Sequence, residues 1–166
     1  MAESTIVKTK RDGTIQISDL GDANSYTVAY EAGDLSISIP GPAVISPLDR
    51  GQFGDPPSLR YSDDQPITGT FTAYLRDLSD AAYTTLAEIL TQTGDVGTNW
   101  TSSLGNNREV FALNLQWTIA GLVHGDSADH VLTLPFCVVT GSLSEGDPDQ
   151  ISISFTSYSV YPSSVS

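Results

Sequence analysis

Two clusters of side chains in this 166-residue chain are of types that could do chemistry. His124, Asp126, Asp129 and His130 fall within one seven-residue window, and imidazole nitrogens with carboxylate oxygens are donors that a zinc ion accepts. Their spacing argues against such a site, because neither an H-x-x-x-H helical pair nor a paired cysteine accompanies them. A polar hairpin loop with two solvated histidines is the expectation. Glu145, Asp147 and Asp149 in "EGDPDQ" offer the hard oxygen ligands that calcium prefers. The 12-residue frame with a terminal Glu is missing, so an Asp-rich turn is expected there. Cys137, the single cysteine, sits in "LPFCVV" and reads as a small apolar core side chain. The chain contains neither G-x-S-x-G nor G-x-x-x-x-G-K-[ST]. No catalytic residue, cofactor or metal is therefore expected, and the chain does not read as an enzyme.

The elements that carry these residues are mostly strands. Apolar side chains recur at every second position in "TIQIS" (Ile15, Ile17), "SYTVAYE" (Tyr26, Val28, Tyr30) and "DLSISI" (Leu35, Ile37, Ile39). "EAGD", Glu31 to Asp34, reads as a tight hairpin turn between the last two. "ITGTFTAYL" sets Ile67, Gly69, Phe71, Ala73 and Leu75 against Thr68, Thr70, Thr72 and Tyr74. Later strands are "VFALNLQWTIAG", with Phe111, Leu113, Leu115, Trp117 and Ile119 on one side, and "ISISFTSYSV", with Ile151, Ile153 and Phe155 alternating with Ser152, Ser154 and Thr156. "HVLTLPFCVVTGSL" is apolar on both faces and reads as a strand covered twice, while its Pro135 predicts an edge position or a bulge. One helix is predicted over about 79–93, with Ser79 as N-cap, Asp80 in the first turn, Leu78 stapled onto Tyr83, an apolar stripe of Ala82, Leu86, Ile89 and Leu90, and Gly94 at its end. Residues 95–109 read as turns and the tail "YPSSVS" as frayed. The sum is a mainly β fold of about seven or eight strands, sandwich-like or barrel-like, with one flanking helix.

Composition narrows the function classes. Hydrophobic residues at 39% and charged residues at 16% describe a folding chain rather than a disordered one. Twenty Asp and Glu against seven Lys and Arg give a net charge of −13, which repels phosphate backbones and anionic membranes alike. No apolar run approaches the roughly 20 residues that span a bilayer. The start, "MAESTIVKTKRDG", lacks the apolar stretch of a secretory signal, and a soluble protein is expected.

Two features remain. The outward positions of the strands carry Ser and Thr almost exclusively, and both lysines, Lys8 and Lys10, fall in the first ten residues. Charged side chains ordinarily guard sheet edges against pairing with other chains, so their scarcity here points to edges that other chains complete. The second feature is the segment 40–66, which holds six of the nine prolines and shows neither helix nor strand pattern. Loops beyond about 12–15 residues inside a compact domain are usually functional or disordered.

The hairpin "SYTVAYEAGDLSISI", the loop containing "DRGQFGD", the unit "TGTFTAYLRDLSDAAYTTLAEIL" and the ending "GSLSEGDPDQISISFTSYS" together resemble a major tail tube protein of a long-tailed, siphovirus-like bacteriophage. The resemblance covers nearly the whole chain through the order and character of its elements. It implies a single tail-tube domain over 1–166, a β-sandwich with a flanking helix and no added C-terminal domain. It further implies six copies forming a ring, rings stacking into a hollow tube, and an inner wall that is one continuous β-barrel. DNA would pass through the lumen without specific binding. The implied partners are other copies of the chain and the tape measure, tail tip and terminator proteins. The implied location is the virion tail, assembled in the host cytoplasm.

Residue roles follow as expectations. The long loop is expected to reach neighbouring copies through Leu48, Arg50, Phe53, Leu59, Arg60 and Tyr61, since Arg and aromatic side chains anchor interfaces and an acidic neighbour offers carboxylates to Arg. Ser36, Ser38, Thr68, Thr70 and Thr72 are the candidates for the lumen. The competing reading is a β-sandwich binding module for carbohydrate or another virion protein, which would need aromatic side chains displayed on a flat face.

Overall fold

Every second side chain of the runs 15–17, 67–73 and 151–157 is withdrawn from solvent, and the strands of the sheet pair with one another in antiparallel fashion. The computed structural model describes residues 13–28, 34–41, 44–45, 60–61, 63–78, 83–102, 110–122, 125–159 and 162–165. The elements are β1 (Gly13–Ser18), β2 (Ser25–Val28), β3 (Ser36–Ser38), β4 (Val44–Ile45), β5 (Arg60–Tyr61), β6 (Ile67–Tyr74), α1 (Leu86–Thr91), α2 (Gly94–Asn99), β7 (Leu113–Ile119), β8 (His130–Ser144), β9 (Gln150–Ser157) and β10 (Ser164–Val165). The fold is mainly β, as its period-2 patterning predicts.

The main sheet runs β2-β1-β7-β8-β9-β6-β3, with β10 added to β8. It is not flat. Val28 of β2 and Ile67 and Phe71 of β6 belong to one buried cluster with Ile15, Ile17, Leu113, Leu115, Leu134, Ile151, Ile153 and Phe155, so strands from both ends of the order face a common core. Only residues 29–35 link β2 to β3. Flat, the ends of seven strands stand about 29 Å apart at about 4.8 Å per step, near the limit of a fully extended link of that length. The sheet is therefore curled around its core, in the manner of a sandwich.

The bend is built into β8. Leu113 pairs with Cys137 but Leu115 with Leu134, so β8 carries one extra residue there, a bulge at Pro135 and Phe136. Phe136 has φ 54°, costly for a bulky side chain, and is held by Tyr158 N–H donating to its carbonyl at 3.2 Å. Ser157 Oγ donates to the Pro135 carbonyl at 2.6 Å. The first half of β8 pairs with β7 and β10, and the second half with β9.

Pro135 thus marks a bulge in a central strand, not an edge. Nor is β8 covered on both faces: Leu134 and Cys137 are buried, but Phe136 and Leu143 are exposed and residues 140–144 lie open. The tail is not frayed at residues 164–165, where Ser164 and Val165 pair with Thr133 and Leu132.

Three further expectations change. The runs read as a β2–β3 hairpin pair elsewhere, β2 with β1 and β3 with β6; residues 31–33 of the expected turn lie outside the described residues. The predicted single helix becomes two short ones. Thr85, not Ser79, caps α1: its Oγ1 accepts from Glu88 N–H at 3.2 Å, and Glu88 Oε2 accepts from Thr85 N–H at 3.1 Å. Ser79, Asp80 and Ala82 lie outside the described residues, and Leu78 and Tyr83 are exposed rather than stapled. Gln92 takes the left-handed cap, φ 56°, and Gly94 opens α2 within the stretch read as turns. Lastly, the segment 40–66 is not without strand: Val44 pairs with Tyr61 and Ile45 with Arg60, so a short antiparallel stem joins the two ends of the loop.

Candidate assembly face

Curling the sheet leaves β3, β6, β9 and the second half of β8 with one outward face. Its rows follow from the register: Ser38, Thr68, Thr156 and Val138; Ser36, Thr70, Ser154 and Thr140; Thr72, Ser152 and Ser142. The five residues singled out in the sequence as lumen candidates, Ser36, Ser38, Thr68, Thr70 and Thr72, are thereby brought onto a single surface. Tyr74, Gln150 and Ser144 complete it at one end, and no residue of these rows is charged. The side chains in the middle are exposed, and Thr140 Oγ1 donates to the Ser154 carbonyl at 3.3 Å.

Two glycines let the inner side of this sheet pack closely. A Cβ at Gly69 would lie 2.6 Å from the Ser36 carbonyl oxygen and would overlap the Phe155 ring, which covers the glycine from the neighbouring strand. Gly141 does the same for the helix: a Cβ there would stand 2.6 Å from Leu90 Cδ1, so α1 sets Leu90 on β8 while Leu86 and Ile89 join the buried core.

Among the described residues both margins of the face lack a pairing strand: β3 pairs only with β6, and residues 138–144 of β8 pair only with β9. Neither margin carries a charged side chain except Asp34, whose Oδ1 is engaged by Thr72 N–H at 2.9 Å. At the end where β6 finishes lies a crevice of about 140 Å³ lined by Tyr26, Tyr74, Arg76, Asp77, Tyr83 and Leu86 among others. Burial, offset by the Arg76 charge and reinforced by Asp77, raises the Tyr26 hydroxyl above its ordinary value, so it stays protonated and able to donate.

Of the six loop residues expected at contacts between copies, Leu48, Arg50, Phe53 and Leu59 lie outside the described residues. Arg60 and Tyr61 are described by their backbone ladder with β4 alone.

The residues weighed for chemistry make ordinary turns. Asp129 Oδ1 accepts from the N–H groups of Gly121 (2.8 Å) and Leu122 (3.1 Å), closing the loop between β7 and β8. His130 Nε2 stands 3.0 Å from Asp126 Oδ2 at the surface, and His124 lies outside the described residues. Asp149 Oδ1 accepts from Gly146 N–H at 2.8 Å, which shapes the exposed turn holding Glu145 and Asp147. Among the described residues no group of three or more His, Cys, Asp or Glu could hold a metal ion. Cys137 is fully buried, its thiol donating to the Leu134 carbonyl at 3.3 Å, and burial pushes its pKa up to about 12. No described helix is long and apolar enough to cross a membrane.

Sequence reasoning missed Asp19. It is fully buried at the end of β1, and its carboxylate accepts from Ala23 N–H (2.9 Å), Asn24 N–H (3.2 Å), Asn24 Nδ2 (3.2 Å) and Thr101 N–H (3.1 Å). It ties the β1–β2 turn to the chain leaving α2. The signal, an Asp four residues before the first donor in "DLGDAN", is that of any Asx turn. Trp100, read as a loop residue, is buried beside this knot, and Trp117 lies over Gly13, so neither tryptophan is an open platform. No family model and no curated protein matches the chain.

Proposed function

We propose that this chain is a structural subunit that self-assembles into stacked rings forming a hollow tube, as the resemblance to phage tail tube proteins implies. The observation that carries this reading is the charge-free Ser and Thr face bounded by two strand margins that no described strand completes. Strand directions alternate from β8 through β9 and β6 to β3, so copies related by rotation about a tube axis can add the β8 margin of one to the β3 margin of the next in antiparallel fashion. Repeated around a ring, such head-to-tail pairing closes on itself and leaves no edge.

The face then becomes the inner wall. Hydroxyl groups without Lys or Arg give DNA phosphates no cation to pair with, which suits a conduit through which DNA moves without being held. The loop stemmed by β4 and β5 is the arm that reaches a neighbouring copy, and its Arg50, Phe53 and Arg60 are the anchors. Six-fold rings, the tape measure, tail tip and terminator partners, and location in the virion tail belong to this same proposal.

Negative-stain microscopy of the purified protein over a range of concentrations tests it. Annular particles or hollow tubes are expected; a chain that stays monomeric at every concentration, and that retains a glycan on an array, would replace the tube with the binding-module reading.

A further inference from the structure

We propose that copies of this chain join in one defined strand register, with Leu143 of one copy opposite Ile37 of the next, Gly141 opposite Ile39 and Val139 opposite Gly41. The inference deepens the tube reading and rests on it, because it uses the lateral pairing of β8 with β3.

The backbone sets the parity of that register. Thr72 N–H donates toward β3, to Asp34 Oδ1 at 2.9 Å, while Leu75 N–H donates toward β9, to the Asp149 carbonyl at 3.0 Å. Tyr158 N–H donates toward β8, to the Phe136 carbonyl at 3.2 Å. Backbone groups along a strand alternate in direction from one residue to the next. Carried through the ladders, this alternation turns the N–H and C=O groups of Ser36 and Ser38 toward β6, and those of Thr140 and Ser142 toward β9. The groups left on the margins belong to Ile37 and Ile39 on one side and to Val139, Gly141 and Leu143 on the other. These residues share the core side of the sheet, so odd positions must meet odd positions if Ser and Thr are to line one continuous face. Pro40 falls at a position that faces β6, and its missing N–H takes no donor from the margin.

Two constraints choose among the odd-to-odd registers. The first is space. β7 holds the same edge of β8 as far as Cys137, which pairs with Leu113, so an incoming β3 finds its margin only from residue 138 onward. With Gly41 opposite Val139, residues 36–41 cover that margin through Ser144. The second is closure. Within one chain Ile37 lies level with Val139, through Gly69 and Phe155, and pairing it with Leu143 of the neighbour staggers each copy by 143 − 139 = 4 residues. Four residues rise about 13 Å while four strands span about 19 Å sideways, a tilt of about 35° whatever the number of copies. Closed barrels take tilts of about 35–45°, and a stagger of two residues would give only about 19°.

The side chains agree with this register. Ile39 and Leu143 are large apolar residues left 51% and 56% exposed at the two margins. In the joined sheet they become diagonal neighbours, Leu143 faces Ile37, and Leu90, which covers Gly141, lies beside Ile39. One apolar cluster thus seals the junction on the core side, and the hydroxyls of Ser38 and Ser142 continue the outward face across it.

Cysteine cross-linking of the full chain reads the register. Ser38 and Ser142 of adjacent copies would be a directly opposed, non-hydrogen-bonded pair with Cα atoms about 4.5 Å apart, within disulfide reach. Within a single chain they stand about 20 Å apart along the sheet, far beyond it. Ser38→Cys with Ser142→Cys, oxidised under assembling conditions, is expected to give a ladder of covalent multimers on a non-reducing gel. Ser36→Cys with Thr140→Cys, the pair that meets without stagger, and Ser38→Cys with Thr140→Cys, the pair that meets at a stagger of two, are expected to stay monomeric on the same gel. The buried Cys137 does not compete. Ile39→Ser and Leu143→Ser are each expected to raise the concentration needed for assembly by about tenfold while leaving the monomer melting temperature unchanged. Rings or tubes in which a control pair cross-links, or in which no pair does, overturn the register and leave the tube reading in place. Serine variants that assemble like the parent do the same. A parent protein that never assembles removes both proposals.

Discussion

Asp19 has no exposed surface, and burial alone would favour its neutral form. The N–H groups of Thr101, Asn24 and Ala23 and the Asn24 amide outweigh that cost and hold the carboxyl below its usual value of 3.8. Because the folded pKa is the lower one, the stabilisation is present in full above the unfolded value and is lost as pH falls below about 3.8 through the folded value. Asp19→Asn keeps the volume but sets an amide N–H against donors. A loss of roughly 1.5–3 kcal/mol at pH 7 is expected, the scale of hydrogen bonds to a charged group. Urea unfolding at pH 7 and at pH 3 checks both magnitude and sign: the gap between variant and parent should shrink at the lower pH, and a constant gap would assign the effect to packing instead.

At the level of elements, α1 is only six residues long, so its ends decide whether it forms. The reciprocal bonds between Thr85 and Glu88 satisfy two donors that the helix leaves bare. Thr85→Ala should cost about 1 kcal/mol. Glu88→Gln should cost less than Glu88→Ala, since an amide oxygen can still accept from the Thr85 N–H; thermal melts of the three variants rank them, and equal losses would mean that burial of Glu88, not capping, matters. The sequence spells this box as T-x-x-E, but the sequence reading places the cap at Ser79 with Asp80; local patterns of this kind recur, and where α1 sits also reflects packing such as that of Leu90 over Gly141. Strand faces were readable because period 2 reports burial directly: Ile67, Phe71, Ala73, Ile151, Ile153 and Phe155 all point inward. Strand partners were not, because alternation carries no information about which neighbour a strand takes. The expected β2–β3 hairpin failed there: β2 pairs with β1 and β3 with β6, at opposite ends of the strand order. The Ser and Thr candidates were legible as one class of residue, but their union on one face needed the register.

For the whole molecule, two electrostatic effects act on assembly in opposite directions, and their balance can be measured. Each copy brings a net charge of −13, so copies repel one another over distances of a Debye length, about 10 Å at 0.1 M salt and about 3 Å at 1 M. Any Arg50 or Arg60 pairs between copies are attractive, but they are few, and one or two local pairs at a partly solvated interface contribute on the order of 1 kcal/mol each. Strand pairing across the β8 and β3 margins and burial of apolar side chains are insensitive to screening. Repulsion among 13 net charges on each copy therefore dominates the salt response. Light scattering of the purified chain should show the concentration needed for assembly falling as sodium chloride rises from 0.05 to roughly 0.5 M, the range in which the screening length shrinks below the spacing of neighbouring surface charges. A concentration that rises with salt instead would mean that complementary charge pairs, and not shared strands, hold the copies together, and the open margins of β8 and β3 would then need another occupant.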